Sequence, residues 1–434
     1  MIKLFKTILL SASLLCVGSV YAQQNSNNGS NSPYSRYGFG LMNDRAQGFN
    51  KGMAGLGLGM RHNEQVNYKN PASYSAIDSL TFLFDIGASL QYAHFESGNS
   101  SKNLNNSTVD YITAAFRLAP RLGMTVGLVP YSTIGYKMTT TSSIAQPTGE
   151  IKQTETYKGD GGLQQVFAGI GYEPIRNLSV GANFGYVWGS LNHSVGASFN
   201  NNNISSRQRK YDADIRTYKV DLGVQYEQRV NRNNTLIIGA TYGIGHNVNR
   251  TANYYDQRVT SGQGTIGDTL RLSNAFEMPH CFAVGAVWNH RDRLRVGFDY
   301  SLELWDGCKS PQFINNQYTV STSAYQDKHQ FIVGAEYVKN PYGLRFRDRI
   351  RYRFGASYTS PYIKVNGQDG PTSYTASLGI GIPILNYWSR NSVLNISAQY
   401  ERVEPSATLM AENYLRLCIG ITFNEAWFSK WKVK

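Results

Sequence analysis

The feature that most constrains this 434-residue sequence is an apolar/polar alternation with a period of two, repeated about fourteen times from Leu80 onward. Leu80, Phe82, Phe84, Ile86, Ala88, Leu90 and Tyr92 fall on one side of a segment whose other side carries Thr81, Asp85, Gly87, Ser89 and Gln91, with Leu83 the exception. Leu294, Val296, Phe298, Tyr300, Leu302 and Leu304 alternate in the same way with Arg293, Arg295, Gly297, Asp299, Ser301 and Glu303. Near the end, Leu415, Leu417, Ile419, Ile421 and Phe423 alternate with Arg416, Cys418, Gly420 and Thr422. Successive side chains of a strand point to opposite faces, whereas a helix repeats every 3.6 residues, so these segments are strands with one apolar face.

The connections alternate too. Short turns fall around Pro120, Pro174, Asn231, Arg291, Pro341 and Tyr387, and long polar stretches fall at 97–107, 139–157, 193–208, 249–274, 308–328, 360–372 and 403–413. An even number of strands with short turns at one end and long loops at the other is the habit of transmembrane barrels, whose closure satisfies every backbone group without water. A soluble β-sandwich also alternates. Here, however, the apolar strings are unbroken and end in aromatics, with Tyr172, Tyr226, Trp288, Tyr337 and Trp388 at the short turns as a periplasmic girdle. Charged residues make up only 16% of the chain, well below the roughly 25% of ordinary soluble domains. A helical bundle is excluded, because a membrane helix needs about 20 consecutive apolar residues and only 8–22 approaches that. The sequence therefore predicts an all-β fold, a transmembrane antiparallel β-barrel of about 14 strands with both termini periplasmic.

The first segment sets the compartment. Lys3 and Lys6 precede an apolar run that ends in Val20-Tyr21-Ala22, the pattern of a secretory signal peptide cut after Ala22. Cys16 is preceded by Leu15 rather than the small residue that lipidation requires. Loss of the two lysines takes the net charge from +13 to +11. An exported chain rarely meets nucleic acid, and Arg345, Arg347, Arg349 and Arg351 cluster in a turn, so the basic balance reads as a rim facing water or lipid headgroups. Cys281, Cys308 and Cys418 are odd in number and show no C-x-x-C spacing, and the seven histidines form no H-E-x-x-H. There is no G-x-S-x-G. No catalytic residue, metal or cofactor is expected.

Between signal and barrel, residues 23–79 do not alternate: a polar Asn/Ser tail is followed by Pro33-Tyr34-Ser35-Arg36-Tyr37-Gly38-Phe39-Gly40, by a glycine-rich run at 52–59, and by Asn70-Pro71-Ala72. Pro71 disfavours helix at Asn70, whose side chain can then bond nearby backbone in a rigid corner. No strand, helix and later acidic residue frame the glycines, so they are not a dinucleotide-binding loop. The glycine run and the Asn-Pro-Ala motif ahead of a barrel resemble the hatch of the FadL-type outer-membrane transporters of hydrophobic compounds. That resemblance implies a fourteen-strand barrel with an N-terminal plug, giving a division into signal peptide 1–22, tail and plug 23–79, and barrel 80–434. It also draws attention to Pro130 and Tyr131 in the third strand, since the family has a kink there that opens the wall sideways. Proline lacks the ladder N–H and implies a bulge or break, and two readings stay open: a lateral exit, or a strand that has ended and begun a loop.

The opposite strand faces would line the lumen with Asp85, Gln91, Lys219, Asp221, Gln225, Arg295, Asp299, Glu303, Glu336, Arg353, Gln399 and Arg416. This lining is polar and mixed in sign, and its charges are expected to pair with each other and with the plug. A hydrophobic ligand needs a local pocket, for which Tyr34, Tyr37 and Phe39 are the candidates. The expected function is passage of small hydrophobic molecules by diffusion, with outer-membrane lipid and the ligand as partners. The alternative is an accessory barrel subunit of an outer-membrane assembly or secretion complex.

Overall fold

A computed structural model describes residues 32–98, 100–146, 149–201, 204–260, 264–314, 317–365, 367–385, 391–405 and 410–426. The signal peptide, the tail to residue 31, the turn at Tyr387 and Trp388 lie outside the described residues.

Fourteen antiparallel strands form the barrel: β1 Thr81–Ser97, β2 Ser100–Ala119, β3 Leu122–Gln146, β4 Gly149–Ile175, β5 Leu178–Phe199, β6 Ser206–Asn231, β7 Asn234–Gly243, β8 His280–His290, β9 Leu294–Leu304, β10 Lys328–Val338, β11 Arg351–Thr359, β12 Thr372–Leu385, β13 Asn391–Glu404 and β14 Ala411–Ala426. Each pairs with the next, and β1 pairs with β14 from Thr81↔Ala426 to Glu96↔Ala411, which closes the ring. Alternation in sequence becomes alternation in burial. Along β6, Ala213, Ile215, Thr217, Lys219 and Asp221 are buried, while Arg216, Tyr218 and Leu222 are exposed on the outer wall. Tyr172, Tyr226, Trp288 and Tyr337 stand exposed beside the short turns. Three of those turns hold non-glycine residues at positive φ, Arg121, Asn177 and the pair Arg291-Asp292, as tight hairpins demand.

The long polar stretches are the main correction. Residues 97–107 and 139–157 are not loops: β1 runs to Ser97 and β2 starts at Ser100, while β3 and β4 pair out to Gln146↔Gly149. Within 249–274 the segments Ala252–Thr260 and Gly264–Leu272 form a hairpin, and the first of them pairs with β6 at 206–213. Beyond the bilayer both faces of a strand are wet, so the apolar signal vanishes although the backbone ladder continues. About 9–11 residues cross a membrane, and β3 to β6 are 22 to 27 residues long, so this part of the wall stands well above the bilayer surface.

Residues 33–77 are largely buried, and they pack against inward-facing positions of the strands. The described part of the chain begins at the end where the long connections lie, where Ser32 Oγ donates to Glu412 of β14 and the Pro33–Arg36 turn packs on β3. It descends through Leu41–Met42 and the short helix Gly48–Lys51 to the turn Pro71–Ala76 beside β4, β5 and β6, and enters β1 at the short-turn end. Ser32 thus stands at the end opposite the short turns, and the residues before it lie outside the described ones.

Candidate functional site

The polar lining holds the inner segment by named bonds. Asp299 Oδ2 accepts the backbone N–H of Gly57 (2.8 Å) and Leu58 (3.1 Å), and Lys69 Nζ stands 3.4 Å away. Arg45 and Lys219 both meet Asp221, at 3.2 and 2.6 Å. Glu336 collects Arg295, Arg351 and Arg353 at 3.0, 3.1 and 2.8 Å, and Arg295 also contacts His62. Burial and the Arg295 guanidinium hold the His62 imidazole well below its ordinary range, so it is neutral. Burial alone would lower the Lys51 ammonium, but Asp110 and Asp44 outweigh it and raise it. Lining residues named from alternation alone thus act as anchors, and among the described residues no grouping of His, Cys, Asp and Glu suits a metal ion.

Asn70 forms the corner of this segment. Its Oδ1 accepts the Ala72 N–H (3.1 Å), and its Nδ2 donates to the carbonyls of Leu58 (2.9 Å) and Val224 (3.2 Å). Pro71 lies directly on β5 and β6: a Cβ on Gly181 or Gly223 would come within 2.4 and 2.8 Å of Pro71 atoms. Glycines at inward positions are what let the corner sit against the wall. Ala72 is fully buried.

Toward the long-connection end the lumen turns apolar. Tyr34, Phe39, Ile134, Tyr136, Leu163, Val187 and Ile215 belong to one buried cluster with Phe276, Trp305, Tyr325 and Tyr362, and Tyr37 packs on its flank. Phe39 is completely buried, with the rings of Phe276 and Trp305 at 5.7 and 5.9 Å. Tyr34 satisfies its hydroxyl on the Met410 carbonyl at 2.6 Å. The structure therefore brings Tyr34, Tyr37 and Phe39 together, but their side chains fill the space.

At this level the wall comes apart. β2 and β3 pair from Ala119↔Leu122 up to Ile112↔Leu128 and no further, although both strands continue, to Ser100 and Gln146. Each lip carries a bulge beside the last pair. In β2 the register against β1 skips Asp110, and in β3 the register against β4 skips Tyr131, immediately after Pro130. β3 does not end at Pro130, so the loop reading is corrected. Gly161 and Gly162 in β4 lie opposite, with φ of +124° and +131°, and a Cβ on Gly162 would meet the Ser132 carbonyl at 2.5 Å. The Gly-Gly pair inside a strand was the missed signal.

The inner segment bridges both lips. Leu41–Met42 pairs antiparallel with Thr133–Ser132 of β3, Asn43 N–H donates to the Tyr131 carbonyl (3.0 Å), and Asn43 Nδ2 donates to that of Pro130 (3.3 Å). On the other side Lys51 Nζ lies 3.1 Å from Asp110. Nothing in the local sequence singles out Asp110 or Asn43, because their roles arise from strands far apart in the chain.

A fourteen-strand ring with an apolar outer belt, aromatic girdle and polar inner anchors defines a β-barrel of the outer membrane. The family model that matches is BamG, over residues 1–434, and the chain belongs to that family. Among curated proteins none matches the sequence. Solved structures share the fold, among them the following three. A FadL homologue of Pseudomonas aeruginosa superposes with a TM-score of 0.61 at 13% identity, over 88% of this chain and 99% of that one. The monoaromatic hydrocarbon channel CymD gives 0.58 at 16%, over 91% and 100%. The toluene transporter TbuX of Ralstonia pickettii gives 0.58 at 16%, over 87% and 98%.

Proposed function

We propose that this barrel passes small hydrophobic molecules across the outer membrane by passive diffusion. They enter at the long-connection end, partition into the apolar cluster around Tyr34, Tyr37 and Phe39, and leave sideways into the bilayer between β2 and β3. The observation that carries this reading is the break above Ile112↔Leu128, where Tyr131 and Ile134 of one lip belong to or pack on the apolar cluster and the Lys51–Asp110 pair holds the other lip. Proteins described as a hydrocarbon channel and a toluene transporter share the fold, which supports hydrophobic cargo of that class. Because Phe39 and Tyr34 fill the cluster, passage requires them to move, and the Asn43 and Lys51 bonds across the lips are the contacts that yield.

The test uses toluene uptake by cells that carry this barrel as their route for the compound. Cysteines replacing Val109 and Tyr131, on opposite lips, are joined by a short bifunctional maleimide. Joining them is expected to stop uptake while the unjoined pair retains it. Unchanged uptake after joining removes the lateral path. Uptake no greater than in cells lacking the barrel removes transport altogether.

A second reading, an accessory subunit of an outer-membrane assembly, is favoured by the turn at residues 339–350. It is far longer than the neighbouring hairpins and carries Leu344 and Tyr342, 101% and 82% exposed, among Arg345, Arg347 and Arg349. A stoichiometric complex in mild detergent that is lost on Leu344→Asp, in a barrel inert to toluene, is the outcome that selects it.

A further inference from the structure

On the outer wall, at the level where the apolar belt ends, β4, β5 and β6 enclose an open depression of about 360 Å³ lined by Val166, Tyr186, Trp188 and Arg216. Register places these residues side by side: Val166↔Tyr186 and Trp188↔Arg216 are direct partners, and Tyr186 faces Tyr218. Their surroundings are those of a membrane interface. Tyr186 and Trp188 stack with centroids 5.9 Å apart, and Tyr218 stacks on His246 at 4.0 Å.

The height of Arg216 follows from the strand. Tyr226 marks the periplasmic girdle, and the outward residues from there are Val224, Leu222, Val220 and Tyr218, all apolar or aromatic, before Arg216. Ten positions at about 3.3 Å and a tilt of about 45° give about 23 Å, close to the roughly 25 Å of the apolar band. Arg216 is thus the first charge above the hydrocarbon on this strand, in the headgroup layer of the outer leaflet.

Its guanidinium has no ion pair or side-chain hydrogen bond among the described residues; only its backbone carbonyl is used, by Arg250 Nε at 3.3 Å. That bond holds a second exposed arginine, Arg250, against the backbone of Arg216. The nearest outward acid on the strand is Asp214, two positions further from the bilayer. Two arginines against one aspartate, above an apolar shelf formed by Val166, Tyr186 and Phe184, match a ligand with an anionic head and acyl chains below it. A phosphate accepts from guanidinium in the bidentate manner that favours arginine.

We infer that Arg216, with Arg250, binds a phosphate of a lipid A molecule of the outer leaflet, whose acyl chains lie along Val166, Tyr186 and Phe184. Neither transport nor scaffolding is needed for this site.

Native mass spectrometry of the full barrel in mild detergent tests it, with diphosphoryl lipid A, the same lipid without phosphates, phosphatidylglycerol and inorganic phosphate as probes. Diphosphoryl lipid A is expected to bind, with affinity falling about tenfold in Arg216→Gln, a factor worth one charge-assisted bond, and partly restored in Arg216→Lys. Trp188→Ala, which leaves the charges in place, is expected to weaken lipid A but not inorganic phosphate. Equal binding of wild type and Arg216→Gln overturns the proposal, as does equal binding of the dephosphorylated lipid. Binding of inorganic phosphate as tight as that of lipid A reduces the site to a bare anion contact, and phosphatidylglycerol binding equal to lipid A refutes the lipid class.

Discussion

Removing the Asp299 carboxylate is the sharpest test of how the inner segment is held. This side chain is almost wholly buried and gives one oxygen to two backbone N–H groups and to Lys69. Hydrogen bonds to a charged group are worth about 1.5–3 kcal/mol each. Breaking a buried ion pair by deleting one partner costs about 3–5 kcal/mol, because the other charge stays buried alone. These contributions overlap in one cluster, so the expected loss for Asp299→Ala is about 4–6 kcal/mol rather than their sum. Concentrated on docking of residues 55–69, this raises the undocked population by three to four powers of ten, at about 1.4 kcal/mol for each power. Burial already lowers the Lys69 pKa although Asp299 opposes it, so without the carboxylate Lys69 sheds its proton more readily, and its Nζ keeps only the Gly55 carbonyl at 2.7 Å. Hydrogen exchange at Gly57 and Leu58, together with conductance in planar bilayers, reads the outcome. Exchange should accelerate at both amides, and short openings should appear that wild type lacks. Adding Lys69→Met should recover part of the loss. If both amides stay as protected as in wild type, the anchoring role of Asp299 is wrong.

Other outcomes are checked more briefly. His62 is held neutral by burial and Arg295, so its depressed pKa stabilises docking above the ordinary histidine value and ceases to do so as pH falls. Lowering pH from 7.5 to 5 should therefore weaken docking, seen as faster exchange in residues 57–62, and His62→Phe should abolish that pH dependence. Gly162→Ala forces a side chain onto φ of +131° and against the Ser132 carbonyl, costing about 1–3 kcal/mol locally; protease cleavage in the upper part of β3 should increase while the membrane-embedded barrel still resists heat in detergent. Lys51→Met leaves Asp110 without its cation and should loosen the β2 lip, raising toluene uptake if the lips gate it. Unchanged uptake would separate that pair from gating.

The legible part of this molecule is the part immersed in lipid. Where one face meets hydrocarbon and the other water, every second residue is apolar, so Leu80 to Tyr92 or Leu415 to Phe423 announces a strand. Above the bilayer that contrast disappears. The Thr- and Ser-rich stretch after Met138 therefore reads as a loop although it pairs residue by residue with β4. Lumen charges such as Asp299 and Arg353 could be named from alternation, but the partners of Asp299, Gly57, Leu58 and Lys69, are more than 200 residues distant, and those of Arg353, Glu336 and Asn395, lie on other strands that meet it only once the sheet forms. Pro130 was visible as an irregularity. Its counterpart Asp110 was not, because a bulge on that lip needs no special residue.

The upper part of β3 has a further consequence. From Lys137 to Ser143 it offers an extended backbone that, among the described residues, has no neighbouring strand on one side, and beyond Lys137 no proline or charge guards it. Molecules inserted in one membrane all point this strand the same way, so two such edges cannot pair antiparallel there and are left only the weaker parallel pairing. The bilayer supplies, by fixing orientation, the protection that a soluble protein must write into its sequence, and extraction into detergent, where molecules tumble freely, takes it away.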